Sequence, residues 1–468
     1  MLAFVNFDAA SSQVLERLLA DGRLPALGAL RRDGVRVPLE SLGSRFPAAT
    51  YPTIYTGVEL GRHGLYYPFQ WLPWEQRVVP AERLPAPPSL WERVRDAGGR
   101  ALVLDPYEAR VPRGLNGTFV SGAQFRNQVV LPAASVPRTR TLRRRSPNVD
   151  EVFGARSRSR LRSLRRNLLG AADRLAELSC RLLARERFDL AWIGIATVHL
   201  AGHQFWDDQE TLAEVYAAAD RALGRIVQAL PEEADLVVFS GQGMDENVSR
   251  IHLLPGMLAA VLRGGERAVP GRALWRARGV VPTSVRAAAA RALPRKAALE
   301  LTTRLETRGV DWSEVRAFTV PSDSTGYVRL NVRGREREGC VAPGEVGALC
   351  DEIVAGLATF RDPDGAPSVA AVERVPASGP RHGLFPDLVV VWNRRPGAAG
   401  LSAVSSEAFG LVHGPSGGSG RTGDHVADAW AILVPGCAQV VAREGPARLI
   451  DLAATACPAL RGTPLLAR

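Results

Sequence analysis

The sequence predicts an α/β fold with a mostly parallel central sheet, helices on both faces of that sheet, and a smaller inserted α+β subdomain. Short continuous apolar runs recur along the chain, each bounded by polar residues or glycine. Such runs are typical of strands that are buried on both faces of a parallel sheet. Between them lie segments with helical periodicity, and residues 208–230 are the clearest of these. The alternation of the two kinds of segment indicates layers of helices around one sheet.

Six apolar runs are the candidate strands of this sheet. They are LAFVNF (2–7), ALVLD (101–105), LAWIGIA (190–196), DLVVFS (235–240), DLVVVW (387–392) and WAILVP (430–435). The segment GYVRLNVRGRE (326–336) differs from them, because its apolar and polar residues alternate as in a strand that is exposed on one face. We therefore expect the chain to leave the main sheet near residue 253 and to return to it near residue 387.

This pattern divides the chain into three parts. Residues 1–252 form the first part of the core and include an Arg-rich segment at 138–187. Residues 253–378 form the inserted or cap subdomain, and residues 379–468 form the second part of the core. A chain of 468 residues is long enough to bury a core of this size.

Composition places the chain among globular proteins. Hydrophobic residues make up 46% and charged residues 23% of the sequence. The start of the chain, MLAFVNFDAASS, has no basic region before an apolar stretch, and no apolar run reaches about 18 residues. Five scattered cysteines form no CxxC pair, which fits a reducing compartment. We therefore expect a cytoplasmic protein without a membrane segment.

The net charge of +11 is concentrated in one segment. Residues 138–166 contain 11 arginines and only two acidic residues, Asp150 and Glu151. The segment begins as a loop and runs into a helix that we expect to continue to about Arg187. Its one aromatic residue is Phe153, so it lacks the stacking surface of a single-strand nucleic-acid binder. Two alternatives remain, a solvated basic face or flap and a rim that attracts an anionic substrate or polyanion.

Polar side chains follow several of the candidate strands. Asp8 follows the first strand, His199 and His203 follow LAWIGIA, and the turn SGQGM (240–244) follows DLVVF. Ligands of open α/β sheets bind outside the carboxyl ends of the strands, so these residues are candidates for a site. Each also has an ordinary alternative, since Asp8 could cap the next helix and the histidines could be polar residues on a helix. Four residues apart, His199 and His203 share a metal only if the segment turns as a helix or a tight loop.

Thr50 is a candidate nucleophile in the segment RFPAATYPTIYTGVELGRHG (45–64). It precedes Tyr51-Pro52, and a helix is expected to begin at Pro52 because proline is tolerated in the first turn. A hydroxyl group at that end of a helix could attack or hold a phosphate group. The alternative is that Thr50 only caps the helix.

The order of the motifs resembles the alkaline phosphatase superfamily, and most closely its type I phosphodiesterase/nucleotide pyrophosphatase branch. Seven segments carry the resemblance from end to end. They are VNFDAASSQVLERLLADGRLPALGAL, FPAATYPTIYTGVELGRHG, HLAGHQFW, DLVVFSGQGM, GYVRLNVRGREREGCVAPGE, PDLVVVW and GRTGDHVADAWAILVPG. The resemblance implies the alkaline phosphatase-like fold and a site with two metals, usually zinc, that serve a Thr or Ser nucleophile.

Four positions match the family's functional residues. The resemblance makes Asp8 the carboxylate ligand after the first strand and Thr50 the nucleophile. His203 matches the histidine of the D-x-x-x-H element, and His425 in TGDH matches the late histidine ligand.

Three positions depart from the family pattern. His199 stands where the family has aspartate, and Gly241 and Gln242 replace the Asp-His pair of SDHGM. Glycine has no side chain, and the amide of glutamine is a poor substitute for imidazole on zinc. We therefore expect one zinc ion at His199, His203 and His425 and a degenerate second site beside Asp8. Restoring Gly241→Asp and Gln242→His together is expected to raise the metal content from about one toward two.

Two further residues follow the altered turn. Asp245 and Asn247, together with Gln242, are candidates for contacts to substrate or to the altered second metal position.

Three functions follow from this reading. The first is a metal-dependent hydrolase or transferase that acts on a phosphate ester or phosphodiester, with sulfate and phosphonate esters as related substrates. The second is a non-catalytic or repurposed member that keeps the fold and an anion pocket, which the two missing ligands favour. The third is nucleic-acid or polyanion binding through the Arg-rich segment, which its lack of aromatic residues disfavours. Fold alone does not choose among them. An anionic small molecule or ester is the expected partner.

Overall fold

A computed structural model describes residues 1–122, 129–132, 157–263, 311–414, 419–458 and 462–467. Its strands, numbered in chain order, are β1 (Leu2–Phe7), β2 (Val35–Pro38), β3 (Phe69–Leu72), β4 (Arg77–Pro80), β5 (Ala101–Leu104), β6 (Gly117–Ser121), β7 (Val129–Leu131), β8 (Leu190–Ile195), β9 (Asp235–Ser240), β10 (Gly243–Glu246), β11 (Ala317–Val320), β12 (Gly326–Leu330), β13 (Val369–Arg374), β14 (Leu388–Trp392), β15 (Ala403–Ser406), β16 (Gly410–His413), β17 (Gly423–Val426), β18 (Trp430–Val434), β19 (Gln439–Val440) and β20 (Leu466–Ala467). The helices are α1 (Ser12–Ala20), α2 (Pro25–Asp33), α3 (Thr50–Thr56), α4 (Leu60–His63), α5 (Leu90–Asp96), α6 (Arg158–Leu183), α7 (Thr197–Phe205), α8 (Gln209–Gln228), α9 (Leu254–Arg263), α10 (Val346–Ala358) and α11 (Leu449–Ala456).

The main sheet has eight strands in the order β2-β18-β9-β1-β8-β5-β6-β7. Strands β9, β1, β8, β5 and β6 run parallel to one another, whereas β18 and β7 run antiparallel to their neighbours. β1 lies at the centre between β8 and β9, and its continuous apolar sequence suits burial on both faces. The predicted α/β class with a mostly parallel sheet is therefore confirmed.

Five of the six predicted apolar runs form strands of this sheet, and the sixth does not. Leu388–Trp392 forms β14, which pairs antiparallel with β12 and β13 in a separate four-stranded sheet. The prediction that the chain re-enters the main sheet near residue 387 was therefore wrong. β14 lies in the middle of its own sheet and is largely buried, which gives it the same apolar sequence as a strand of the main sheet.

β12 corrects a second prediction. All five of its residues are buried, although the alternating sequence predicted a strand with one exposed face. The polar residue that produced the alternation, Arg329, is fully buried, with its guanidinium 2.7 Å from the Glu336 carboxylate. A charged side chain can occupy a core position when its charge is paired and its hydrogen bonds are made.

Helices cover both faces of the main sheet. On one face, α1, α2, α6, α7 and α8 contribute to a large apolar cluster with the inward side chains of the strands. On the other face, α3, α5 and α11 pack over β1, β8 and β9, with Phe4, Trp192 and Phe239 in contact. Among the described helices, none has both the length and the apolar content required to cross a membrane.

The second sheet has the strand order β11-β12-β14-β13 and packs against α9 and α10. A further apolar cluster joins it to the core, because Phe46 and Tyr66 of the core contact Tyr327 and Phe385 of the second unit. We keep the division into a core and an inserted unit as a proposal. The pairing of β14 leads us to extend the inserted unit from residue 378 to about residue 414, before β17 and β18 complete the core.

Candidate active site

The site lies where the parallel strands β1, β8 and β9 end. Asp8 directly follows β1, α7 starts two residues after β8, and the turn with Gly241 and Gln242 follows β9. β17 adds His425 by pairing antiparallel with β10, in a register that sets His425 opposite Met244. Thr50 is the first residue of α3, two residues earlier than the predicted start at Pro52, and a short 3-10 turn at Pro47–Ala49 precedes it.

Three histidines form a compact cluster at this edge. His199 and His203 lie one turn apart on α7, and His425 faces them from β17. The three side chains are buried, and each offers a ring nitrogen within 4.8 Å of those of the other two. Within the described part of the chain, this is the group of potential ligands that could hold one metal ion.

Two of the rings are held at their Nδ1 atoms. His199 Nδ1 lies 2.8 Å from Asp8 Oδ2, and His203 Nδ1 lies 2.8 Å from the carbonyl oxygen of Gly423. A carbonyl oxygen only accepts hydrogen bonds, so His203 carries its proton on Nδ1, and the carboxylate favours the same tautomer for His199. Both Nε2 atoms are thereby directed inward, and they lie 2.9 Å apart.

This arrangement fits a cation better than it fits three free imidazoles. Burial lowers the pKa of His203 and the pKa of His425 well below 6.5, and the charges of Arg421 and His199 lower both further. When His199 and His203 are both neutral with the proton on Nδ1, each presents a lone pair at Nε2, and these two lone pairs repel each other at 2.9 Å. A metal ion at about 2.0–2.1 Å from each nitrogen would remove this conflict. The three nitrogen donors therefore suit a metal ion in number and type.

Glycine at position 423 is required for this geometry. A Cβ atom there would lie 2.2 Å from the carbonyl oxygen of Gly202 on α7. The close approach of β17 to α7 is what brings the Gly423 carbonyl oxygen to His203.

Asp8 makes two contacts, one with each carboxylate oxygen. Oδ2 contacts His199, and Oδ1 accepts a hydrogen bond from the hydroxyl group of Tyr51. The pKa of Tyr51 is raised well above 10 by burial first and then by the charge of Asp8, so the phenol stays protonated and donates. Asp8 does not cap α1, whose N-cap residue is Ser11.

Thr50 lies beside the altered turn. Its hydroxyl group donates to Gln242 Oε1 at 3.3 Å, and both side chains are buried. A Cβ atom at Gly241 would lie 2.7 Å from Thr50 Cγ2 and 3.2 Å from Ile54 Cδ1. The volume that an aspartate at position 241 would need is therefore filled by the methyl groups of Thr50 and Ile54.

Two of the sequence-predicted residues point elsewhere. Asp245 forms an ion pair with Arg394 at 2.6 Å, on a partly exposed surface. Asn247 is buried and donates through Nδ2 to the carbonyl oxygen of Arg421 at 2.9 Å. The structure thus brings Asp8, Thr50, His199, His203, His425 and Gln242 together, whereas Asp245 contacts Arg394 and Asn247 contacts Arg421.

The side chain of His63, the histidine in the segment that contains Thr50, makes its hydrogen bonds with residues close to it along the chain. His63 Nδ1 accepts from the backbone nitrogen of Leu65, and its Nε2 lies 2.9 Å from Thr53 Oγ1. Burial lowers the pKa of His63 to about 3, so the ring remains neutral.

Three residues of the site were missed by the sequence reasoning. Tyr51 contacts Asp8, the ring of Tyr107 lies 4.7 Å from that of His199, and Arg421 is 92% buried close to His203 and His425. Arg421 is also 3.7 Å from Asp323, which follows β11 of the second sheet. Tyr51 and Arg421 were detectable only as neighbours of Thr50 and His425 along the chain, and no spacing in the sequence signals Tyr107.

The Arg-rich segment is described only in part. Residues 138–156 lie outside the described residues, and α6 begins at Arg158 and ends at Leu183, slightly before the predicted end near Arg187. On α6, Arg165 pairs with Glu214 of α8 at 2.5 Å.

Comparison with known proteins adds a family and a fold. The sequence model described as type I phosphodiesterase / nucleotide pyrophosphatase matches residues 2–396 of the chain. No curated protein matches the sequence.

Phosphonoacetate hydrolase from Sinorhizobium meliloti 1021, solved with phosphonoformate, is 15% identical and superposes with a TM-score of 0.54 over 98% of this chain and 95% of that chain. Murine ectonucleotide pyrophosphatase / phosphodiesterase 5 is 13% identical, with a TM-score of 0.53 over 100% of both chains. An inactive form of the murine protein in complex with AMP gives the same TM-score of 0.53, at 13% identity over 100% of this chain and 99% of that chain. At these identities the likeness establishes the fold.

Proposed function

Because the chain belongs to the type I phosphodiesterase/nucleotide pyrophosphatase family, we propose that it is a metal-dependent hydrolase or transferase that acts on a phosphate ester or phosphodiester. Sulfate and phosphonate esters belong to the same class of tetrahedral substrates. The observation that carries the proposal is the buried cluster of His199, His203 and His425 at the strand ends that also hold Thr50. The two structural neighbours are named for phosphonoacetate and for nucleotide pyrophosphate or phosphodiester chemistry, which supports an anionic, phosphorus-containing substrate.

One zinc ion is the proposed metal, and His199, His203 and His425 are its proposed ligands. Three imidazoles leave one position of a tetrahedral shell open. When bound, the metal would supply a Lewis acid for a substrate oxygen. Gly241 and Gln242 leave the second position of the family without its two ligands, which is why the proposal contains one metal.

Thr50 is the proposed nucleophile. Its Oγ1 would form a bond to phosphorus while the bond from phosphorus to the leaving oxygen breaks, and the proton that Oγ1 loses would pass through solvent to the leaving oxygen. Water or another acceptor would then release the phosphoryl group from Thr50. Gln242 Oε1 accepts from the hydroxyl group and orients it, but an amide oxygen is too weakly basic to remove the proton. We therefore expect slow turnover of simple phosphomonoesters.

Arg421 is the proposed contact for the anionic part of the substrate. Its guanidinium lies close enough to the cluster that its charge lowers the pKa of His203 and His425. The planar group offers several donors to phosphate oxygens. The buried position strengthens the interaction because little water screens it.

The test uses full-length protein that is purified without a chelator or a metal-binding tag. Metal content is measured first, and hydrolysis of bis(p-nitrophenyl) phosphate and of p-nitrophenyl phosphate is then followed with and without added zinc. We expect diester hydrolysis that is lost in His203→Ala and Thr50→Ala and retained in Asp245→Asn, whose side chain pairs with Arg394 outside the cluster. Hydrolysis that survives in Thr50→Ala would contradict the nucleophile, and hydrolysis unchanged in His203→Ala would contradict the metal site.

A second candidate function is binding without turnover. Two observations favour it. The hydroxyl group of Thr50 contacts Gln242, which cannot act as a base, and the space at Gly241 is filled, so that a second metal ligand has no room there. A repurposed member of this kind would bind phosphate or a phosphate ester near Arg421 and would not hydrolyse it. Calorimetric binding of inorganic phosphate that is weakened in Arg421→Ala, combined with no hydrolysis of either ester, would support this function over the first.

A further inference from the structure

We propose that Asp8 is a positioning residue for a single-metal site, and that Tyr51, Asp8 and His199 form a hydrogen-bonded chain that directs His199 Nε2 at the metal. This inference rests on the metal site of the proposed function. It departs from the role of direct ligand that the family resemblance assigns to Asp8.

The contacts of Asp8 carry the proposal. The residue has no exposed surface, and each of its carboxylate oxygens has a partner, namely His199 Nδ1 at 2.8 Å for Oδ2 and the Tyr51 hydroxyl group for Oδ1. A carboxylate on the outer nitrogen of a metal-bound histidine fixes the ring orientation and raises the basicity of the inner nitrogen. His203 has a neutral counterpart of this arrangement, since its Nδ1 lies 2.8 Å from the Gly423 carbonyl oxygen.

Among the residues that the structure describes, no second group of potential metal ligands lies around Asp8. Gly241 contributes no donor, and the Gln242 oxygen is engaged by the hydroxyl group of Thr50 at 3.3 Å. The position of a side chain at Gly241 is filled by Thr50 Cγ2 and Ile54 Cδ1, which are carbon atoms that bind no metal. A single carboxylate without further ligands binds a divalent ion poorly. Through its hydrogen bond with His199, Asp8 instead supports a complete set of three nitrogen ligands.

Tyr51 holds the carboxylate in place. The ring is buried against Tyr55, with ring centroids 5.8 Å apart, and against Tyr107, with ring centroids 5.6 Å apart. The packed ring fixes the position of its hydroxyl group, and that hydroxyl group fixes the rotation of the Asp8 carboxylate. Without this donor, one buried carboxylate oxygen would lose its hydrogen bond. Tyr51 thus acts on His199 through Asp8.

The experiment measures metal affinity in the full-length protein. Metal-free protein is titrated with Zn²⁺ against a chromophoric chelator, and with Co²⁺ to record the absorption bands that report the set of ligands. The variants are Asp8→Ala, Asp8→Asn and Tyr51→Phe, with Asp245→Asn as a matched carboxylate control on the neighbouring strand β10. Circular dichroism confirms the fold of each variant.

We expect the wild type and all variants to bind about one metal with the same cobalt bands, because the three nitrogen ligands remain. Asp8→Ala should weaken zinc binding by roughly 10–100-fold, as loss of outer partners does at other metal sites. Asp8→Asn should retain part of the affinity because its amide oxygen still accepts from His199, and Tyr51→Phe should have a smaller effect. Asp245→Asn should bind like the wild type.

Two results would overturn the inference. One is a wild type that holds two metals, of which Asp8→Ala loses one, since Asp8 would then be a direct ligand. The other is unchanged affinity in both Asp8→Ala and Tyr51→Phe. If Asp8→Ala does not fold, Asp8→Asn and Tyr51→Phe decide the question. Absence of ester hydrolysis together with the expected changes in affinity would contradict the proposed hydrolase and would support this inference.

Discussion

Gly241 has no side chain to bind a metal, and neighbouring atoms fill the space that a side chain there would need. Thr50 Cγ2 and Ile54 Cδ1 occupy the volume where a Cβ atom would lie. The sequence alone led us to expect that Gly241→Asp with Gln242→His would restore a second metal. The geometry changes that expectation. An aspartate at position 241 must displace the methyl group of Thr50, and Thr50 is also the residue whose hydroxyl group is the candidate nucleophile. We now expect the double variant to stay near one metal.

Gly241→Ala tests this packing at the level of one methyl group. We expect it to lower the free energy of unfolding by about 1–3 kcal/mol, the usual cost of overpacking a core. Gly347→Ala is the control, because this exposed glycine on α10 has no atom within 4 Å of the added carbon; alanine there should be neutral or stabilising by up to about 1 kcal/mol. Urea unfolding of metal-free protein measures both. Equal stability of Gly241→Ala and the wild type would show that the pocket around Thr50 adapts freely.

The sequence predicted the histidines of the site better than it predicted the roles of their neighbours. His199, His203 and His425 were named from the motif order, and the structure places them within ligand distance of one another. The contact between Asp8 and His199 was not predictable, because it depends on how β1 and α7 face each other across the end of the sheet. Asn247 was expected near the altered turn, and its amide donates to the carbonyl oxygen of Arg421, a contact that no spacing in the sequence indicates.

Among the elements, α6 shows how a strongly basic sequence can also be a core helix. Its buried positions include Leu164, Leu168, Leu175 and Leu182, which recur at steps of four and seven residues and belong to the apolar cluster on one face of the main sheet. Arg162 and Arg166 lie on the exposed side of the same turns. The part of the Arg-rich segment that the structure describes is therefore a helix with one buried apolar face and one exposed basic face.

Paired substitutions on α6 separate these two faces. Leu168→Ala should lower the free energy of unfolding by about 2–5 kcal/mol, because it leaves a cavity at a fully buried position. Arg162→Gln with Arg166→Gln should change it by no more than about 0.5 kcal/mol, since neither side chain packs in the core. Chemical denaturation of both variants provides the comparison. A large loss in the double arginine variant would mean that the basic face is an interface, and binding to polyanions would then become its next test.

The strand Leu388–Trp392 was predicted in the wrong sheet, because the periodicity of a strand does not show which sheet it joins. A run of apolar residues indicates that a strand is buried, and the eight-stranded and the four-stranded sheet both bury their central strands. The sheet that this strand joins depends on its pairing partners. β12 lies far from it along the chain, and β13 lies close to it. The predicted fold class was therefore confirmed while the position of one strand was not.

At the scale of the whole molecule, the candidate site depends on contacts between the core and the second sheet. Arg421 precedes β17 of the core and lies 3.7 Å from Asp323, which stands between β11 and β12. Tyr67 of the core donates to the same Asp323 carboxylate at 3.0 Å. A residue of the proposed inserted unit thus lies beside the proposed anion contact, and we propose that this unit helps to orient Arg421.

A buried charge pair at the junction of the two units tests whether they unfold together. Glu336 accepts from Trp71 Nε1 of the β3–β4 hairpin at 2.8 Å and from Arg329 Nε of β12 at 2.7 Å, and both charged side chains are fully buried. Glu336→Ala would leave the Arg329 charge in the core without its partner, at a cost of about 3–5 kcal/mol.

Glu338→Ala is the matched control, because its pair with Arg337 is exposed and should contribute no more than about 1 kcal/mol. Calorimetry of the wild type should give one thermal transition, since the apolar cluster around Phe46, Tyr66 and Tyr327 is continuous across the junction. Glu336→Ala should shift that whole transition downward, whereas Glu338→Ala should not. A transition that splits in Glu336→Ala, with its upper part unchanged, would show that the core folds without the inserted unit and that the orientation of Arg421 depends on a contact the core does not need for stability.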